Sequence, residues 1–410
     1  MSALRKRLRH EHIVIGAVVI STFFIGFGGG VIFPILPNLG VILGISPFLV
    51  GLILSANRFS RLVANAPAGA LVDRVGTRRP MVLGMFIQAI ATAGYVMAVL
   101  APFPEGWFMT ARLFWGLGSA LVFATAYTIA ADVSSGESRG ANMGLVRGGV
   151  LFGFPTGVVL GGVVSELGGN LTAFALATVF AFLATAVAYV SIPETHVEEG
   201  RRKSVKPWDV NTSLPALTVG MVNFAVLFVY IGALFASLVL FLDERGLSIF
   251  GLGPQGSSGI FMAVTVIFAG GFMFLSGYVS DRRGSRVPVL LTFLVVMCVG
   301  FILLARAETL ITLTIACACV GAGQGGVSGP LMALLADLTP EAEMGRAVGT
   351  NNVFGDIGGG LGPLVTLPII DSVGFWPVYI LSAALPAIAA VLLLVGVFRE
   401  TGEFLPSVRL

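Results

Sequence analysis

The chain has 410 residues, 56% of them hydrophobic and only 11% charged, with a formal net charge of +3 and a mean hydropathy of +0.96. A soluble globular domain carries about a quarter charged residues, so this composition excludes a soluble enzyme. A bilayer core of about 30 Å takes about 20 apolar residues per helical crossing, and apolar stretches of that order recur from Ile13 to Val397. A β-barrel would alternate in short segments instead, so the expected class is an all-α membrane protein.

In chain order the apolar stretches predict twelve spans, over 13–36, 46–71, 81–101, 106–131, 140–165, 170–192, 214–242, 255–280, 287–305, 308–336, 345–371 and 373–397. The first lacks a small-residue cleavage site and reads as a retained helix rather than a signal peptide. Residues 193–213, with Glu198, Glu199, Arg201, Arg202 and Lys203, are the long hydrophilic stretch between spans. They read as a linker joining an N-terminal half, 1–192, to a C-terminal half, 214–410. Basic residues gather on one face: Arg5 to Arg9, Arg74, Arg78, Arg79, Arg139, the linker, Arg282, Arg283, Arg286, Arg346 and Arg399, against Arg245 and Arg306 opposite. The positive-inside rule then makes both termini and the linker cytoplasmic. The 54 glycines suit close helix packing where no hydrophobic effect drives association.

Cys298, Cys317 and Cys319 sit inside apolar stretches without metal-ligand spacing and read as small buried hydrophobes. His10, His12 and His196 lie outside the spans. The chain carries no phosphate-loop pattern, and its spans carry no acid pair and no Ser/His arrangement. No metal, cofactor, enzymatic activity or nucleic-acid partner is expected.

An internal repeat organises the chain. Gly69-Ala-Leu-Val-Asp73-Arg74-Val-Gly76-Thr-Arg78-Arg79 returns half a chain later as Gly277-Tyr-Val-Ser-Asp281-Arg282-Arg-Gly284-Ser-Arg286, with Val287 at the last basic position. Ala131-Asp132 returns as Ala336-Asp337, and Gly144, Gly153 and Gly157 return as Gly349, Gly358 and Gly362. Two six-span halves in the same orientation match parallel transporter repeats with a substrate site at their interface.

These residues resemble the major facilitator superfamily over the whole chain. Gly69 to Arg79 fills its G-x-x-x-D-R-x-G-x-R-R loop, and Arg112-Leu-Phe-Trp-Gly116-Leu-Gly118 fits its fourth-helix pattern. Gly144, Gly153, Gly157 and Gly161 fit the fifth-helix glycines of its antiporter branch, although Val158 stands where that branch has proline. The later copy keeps Gly362-Pro363 but has Thr366 for the last glycine. The chain is similar to the drug:proton antiporters and their vesicular amine transporter relatives, but Ile20 to Val31 lacks the acid of the amine carriers. The resemblance implies two pseudo-symmetric six-helix bundles around a central cavity. The loops, Gly69, Asp73, Arg74, Gly76, Arg78 and Arg79 with Gly277, Asp281, Arg282, Gly284 and Arg286, would act either as a conformational latch or as topology anchors alone. Gly69 would bring the second helix close to a neighbour, expected to be the eleventh.

Ionisable groups inside spans are functional candidates, since burying them is costly. They are Arg58 and Arg61 in the second span, Arg112 in the fourth, Arg147 in the fifth and Asp356 in the eleventh. Asp356 is expected to pair with Arg58, with Arg61 as alternate partner, and protonation would break the pair; a static interhelical pair is the alternative. Arg112 and Arg147, with Asn57, Gln88, Asn223, Tyr230, Gln324, Asn351 and Asn352, are cavity candidates, although interhelical hydrogen bonding explains single amides as well. The excess of arginine over acid favours an anionic or zwitterionic substrate. The expected function is a secondary, proton-coupled exporter of a small amphipathic solute, working as an inner-membrane monomer whose partners are that solute, protons and lipid. The alternatives are a proton-coupled importer or facilitator of an organic anion, and a non-transporting sensor.

Overall fold

Each apolar stretch except the seventh forms one helix. The computed structural model describes residues 2–133, 139–195, 211–340 and 343–406; the linker core, 196–210, and the side chain of Arg147 lie outside the described residues. The first six helices are α1 Ser2–Ile42, α2 Pro47–Val75, α3 Arg78–Leu100, α4 Pro104–Val133, α5 Arg139–Gly168 and α6 Asn170–Ser191. The seventh crossing is composite, α7 Leu214–Leu227, a π-helical segment Phe228–Phe235 and α8 Leu238–Arg245. The remainder are α9 Pro254–Arg283, α10 Val287–Ala305, α11 Leu310–Leu338, α12 Met344–Val373 and α13 Phe375–Thr401. Counting the composite as one, eleven helices among the described residues are long and apolar enough to cross a membrane. The twelfth, α2, matches them in length but is interrupted by Arg58, Arg61, Asp73 and Arg74. This is a twelve-helix membrane fold, and no strand occurs among the described residues.

One expected helix boundary is corrected. The first span does not stop at 36: α1 runs through Pro34 and Pro37 to Ile42. Gly40 packs there on the Val50 side chain, and neighbouring packing lets a membrane helix tolerate proline. The seventh span is one crossing whose middle is the π segment, where Gly232 meets Gly362 so closely that a Cβ would overlap its backbone. Thr366 Oγ1 donates to the Gly232 carbonyl at 2.8 Å, and Ser237 Oγ, itself 2.9 Å from Tyr379 Oη, donates to the Ala233 carbonyl. These hydroxyls satisfy carbonyls along the wider turn.

The chain divides into two compact units, Met1–Ile35 with Ala56–Pro207, and Leu36–Ser55 with Trp208–Leu410. In the first, α3 packs on α4 and α6, and α5 on α6. A core of α1, α3, α4, α5 and α6 residues closes around Trp115. In the second, α11 packs on α9 and α10, α10 on α13, and α7 on α12. The second unit also takes in the end of α1 and the start of α2. There a Cβ on Gly51 would stand 2.5 Å from the Pro363 carbonyl oxygen, and Ser55 Oγ donates to Gly51 O at 2.7 Å and contacts Gly360 O.

Glycine seams bring specific helices to backbone contact. Along α5, a Cβ on Gly153, Gly157 or Gly161 would strike the backbone of Phe23, Phe27 or Val31 of α1. Along α12, a Cβ on Gly358 or Gly362 would strike Phe224 or Phe228. Gly144 and Gly349, the first glycine of each pattern, have nothing within 4 Å of a Cβ.

Candidate functional site

The fourth-helix pattern has a local structural reason in the first unit. Arg112 is 1% exposed, and its Nη2 donates to Asn57 Oδ1 of α2 at 2.6 Å. Its guanidinium lies 5.9 Å from the centre of the Trp115 ring. Gly116, one turn on, lets α2 approach: a Cβ there would overlap the Asn57 carbonyl and stand 2.9 Å from Ser60 Cβ. Ser60 Oγ donates to Leu113 O at 2.7 Å. Gly118 does the same for α3, where a Cβ would stand 2.6 Å from Gly84 O and 2.7 Å from Gln88 Cγ. The arginine thus donates to a neutral amide on a helix drawn in by glycine. Tyr95, fully buried, extends this layer against Phe108 and Phe174, with ring centres 6.0 and 5.4 Å away.

Other residues on α2 and α12 are partly or wholly shielded. Arg58 and Arg61 are half-buried, and the Arg61 guanidinium sits 5.8 Å from the centre of the Phe123 ring. Asp356 is 8% exposed on α12. In the second unit Asn223 Nδ2 donates to Asn351 O at 2.9 Å, and Asn351 Nδ2 lies 3.3 Å from Met332 Sδ. Gln324 Nε2 reaches Ser328 Oγ at 3.3 Å, a bond within α11. Tyr230 is buried in the π segment with its ring 4.9 Å from that of Phe235, whereas Asn352 is exposed.

The two repeated loops share a backbone but not their partners. Gly76 and Gly284 both take positive φ, 87° and 64°, the left-handed turn that ends a helix and favours glycine. In the second unit Arg286 is clasped by two carboxylates: Nε donates to Asp337 Oδ2 at 3.0 Å and Nη1 to Asp281 Oδ1, with Ser280 Oγ at 3.2 Å. Burial alone would lower the Arg286 pKa, but Asp281 and Asp337 outweigh it and raise it, so this cation persists at every physiological pH. In the first unit Arg78 Nη2 instead donates to the Tyr189 carbonyl at 2.9 Å and stacks 5.5 Å from the centre of the Tyr189 ring. Asp132, the counterpart of Asp337, accepts from Thr195 Oγ1 at 3.2 Å. Glu194 Oε1 accepts from the Thr77 backbone N–H at 2.7 Å and from Thr77 Oγ1 at 3.1 Å, capping α3. Its carboxylate fills the space where a side chain on Gly76 would go.

A Cβ on Gly69, or on Gly277, would meet nothing within 4 Å, whereas one on Gly51 of α2 would meet the Pro363 backbone. Glu194, Thr195 and Tyr189 escaped the sequence reading because they sit where the last apolar turn meets the linker. The Asp132/Asp337 repeat was visible, but nothing in it distinguished its two partners.

Residues 18–363 and, in a second match, 254–407 fit the family description Major Facilitator Superfamily. The chain is 27% identical over 370 residues to the multi-drug resistance efflux pump PmrA of Streptococcus pneumoniae serotype 4 (strain ATCC BAA-334 / TIGR4), covering 88% of this chain and 90% of that one. It is 22% identical over 364 residues to the quinolone resistance protein NorA of Staphylococcus aureus (strain MRSA252), covering 86% and 88%. A bacterial homologue of the human lysosomal transporter Spinster superposes with a TM-score of 0.80 at 15% identity, covering 97% of this chain and 99% of that one. With its repeated loops, glycine seams and twelve helices matched from end to end, the chain belongs to the Major Facilitator Superfamily.

Proposed function

We propose that this multi-pass membrane protein is a secondary active transporter that exports a small amphipathic solute in exchange for protons, by alternating access, with both termini cytoplasmic. The observation that carries the reading is the near full-length similarity to a protein named as a multi-drug resistance efflux pump and to one named as a quinolone resistance protein. The absence of a phosphate-loop sequence leaves an ion gradient as the energy source.

In this reading Asp356 is the coupling site. A carboxylate 8% exposed on a spanning helix changes its preferred surroundings when it takes up a proton, so its protonation biases one conformation over another. Arg58 remains the partner that the sequence nominates. The Arg286 clasp is the proposed latch that forms in one conformation and releases in the other. A second reading, transport of an organic anion, draws on Arg112, a guanidinium buried on a spanning helix.

The test is dye movement in proteoliposomes, with cationic and anionic amphipathic dyes, under an imposed pH gradient. Asp356→Asn is expected to abolish the gradient-driven component at normal expression and fold. Unchanged dependence on the gradient in that variant refutes the coupling role, and accumulation of anionic dyes alone selects the second reading.

A further inference from the structure

Where α2 turns into α3, the first unit has an open pocket of about 970 Å³. Its rim is Arg74, Arg78 and Arg79, all exposed, and its wall is Leu83, Phe86 and Tyr189, also exposed. Large exposed apolar side chains on a helix pair face lipid, whereas three arginines beside them face headgroups. Arg78 is held in place without a change of charge, because its hydrogen-bond acceptor is the neutral Tyr189 carbonyl and its stacking partner is that residue's ring. The carboxylate in the pocket, Glu194, points one oxygen at Thr77. The apolar wall continues beyond the pocket: the Phe86 ring meets Phe182 at 6.3 Å, and Phe182 and Val190 are 41% and 80% exposed. The repeated loop in the second unit is built otherwise, since Arg286 there is closed by Asp281 and Asp337.

We infer that this pocket binds an anionic phospholipid, with the phosphate among Arg74, Arg78 and Arg79 and an acyl chain lying along Leu83, Phe86 and Phe182. Guanidinium groups bind phosphate through charge-assisted hydrogen bonds, and the apolar strip distinguishes a lipid from a free phosphate. The site is separate from the proposed transport reading and is tested by binding alone.

The experiment titrates the purified full-length protein in neutral detergent with phosphatidylglycerol and counts bound lipid by native mass spectrometry. One tightly held phosphatidylglycerol is expected, with phosphatidylcholine bound far more weakly. Each arginine near a membrane surface contributes about 1 kcal/mol, so Arg78→Gln with Arg79→Gln should weaken binding by at least about tenfold. The equally charge-reduced Arg283→Gln with Arg399→Gln should leave it within about twofold. Phe86→Ala with Tyr189→Ala keeps the arginine count and should also weaken binding; it guards against a rim variant that misfolds, as judged by thermal unfolding. Equal loss in the Arg283/Arg399 variant, or equal affinity for glycerol phosphate, overturns the proposal. So does binding that appears only after Glu198→Gln with Glu199→Gln, which would give the pocket to the chain's own linker.

Discussion

The glycine seam between α1 and α5 makes a quantitative prediction. In Gly157→Ala the new Cβ would stand 2.7 Å from the Phe27 carbonyl carbon and 2.8 Å from its Cα. Ordinary contact starts at 3.4 Å, and the obstructing atoms are all backbone, so no rotamer change relieves the overlap. The Phe27 carbonyl oxygen would lie nearer still, so helix α1 must retreat by roughly 1 Å. A gap of that size forfeits a quarter to a half of each dispersion contact, and the loss spreads to the contacts of Gly153 and Gly161 along the same seam. Overpacking of this kind costs about 1–3 kcal/mol. Gly144→Ala on the same helix is the internal control, because nothing lies within 4 Å of its Cβ. There the gain in helix propensity, up to about 1 kcal/mol, should leave stability unchanged or slightly higher. Thermal unfolding in detergent, followed by the fluorescence of Trp115 in the core beside α1, separates the two by several degrees. Equal behaviour of the two variants, in either direction, would refute the steric reasoning.

Two further predictions address the charged groups. Asn57→Leu removes an acceptor of buried Arg112 and is expected to cost about 2 kcal/mol of stability; Asn57→Gln should recover part of it in the same unfolding assay. In the Arg286 clasp the side chains of Asp337 and Asp281 are 28% and 69% exposed, so solvent screens Asp281 more. Double-mutant cycles should therefore give the Arg286–Asp337 pair up to about 1 kcal/mol and the Arg286–Asp281 pair less; the reverse order would contradict this reading of the geometry.

Much of this fold was legible in the sequence because membrane helices are marked by length and apolarity alone. The ninth expected span, 287–305, coincides with α10. What escaped was settled by contacts between helices. Proline signals would end α1 at 36, yet it continues because Gly40 seats on Val50. No local pattern marks the π segment, whose carbonyls are satisfied by Thr366 and Ser237 from other turns. Arg112 and its glycines were legible as a motif, but the acceptor on Asn57 was not, since a lone amide in a span has many possible partners.

The two signature loops show where a motif stops being informative. Both place glycine after the helix at positive φ, because the turn itself demands it. Beyond the turn, the outcome depends on residues outside the motif. In the second unit the basic residue finds Asp337 and Asp281 and its charge is matched within the unit. In the first, Thr195 donates to Asp132, the equivalent of Asp337, while Arg78 turns to the Tyr189 carbonyl and ring. A hydroxyl donor on Asp132 leaves that carboxylate's charge in place, and a carbonyl acceptor for Arg78 leaves that cation's charge in place. The same eleven-residue pattern therefore clasps a basic residue between two carboxylates in one loop and holds it on a carbonyl and a ring in the other, so the repeat keeps the bend of the chain and not the partners of its arginine.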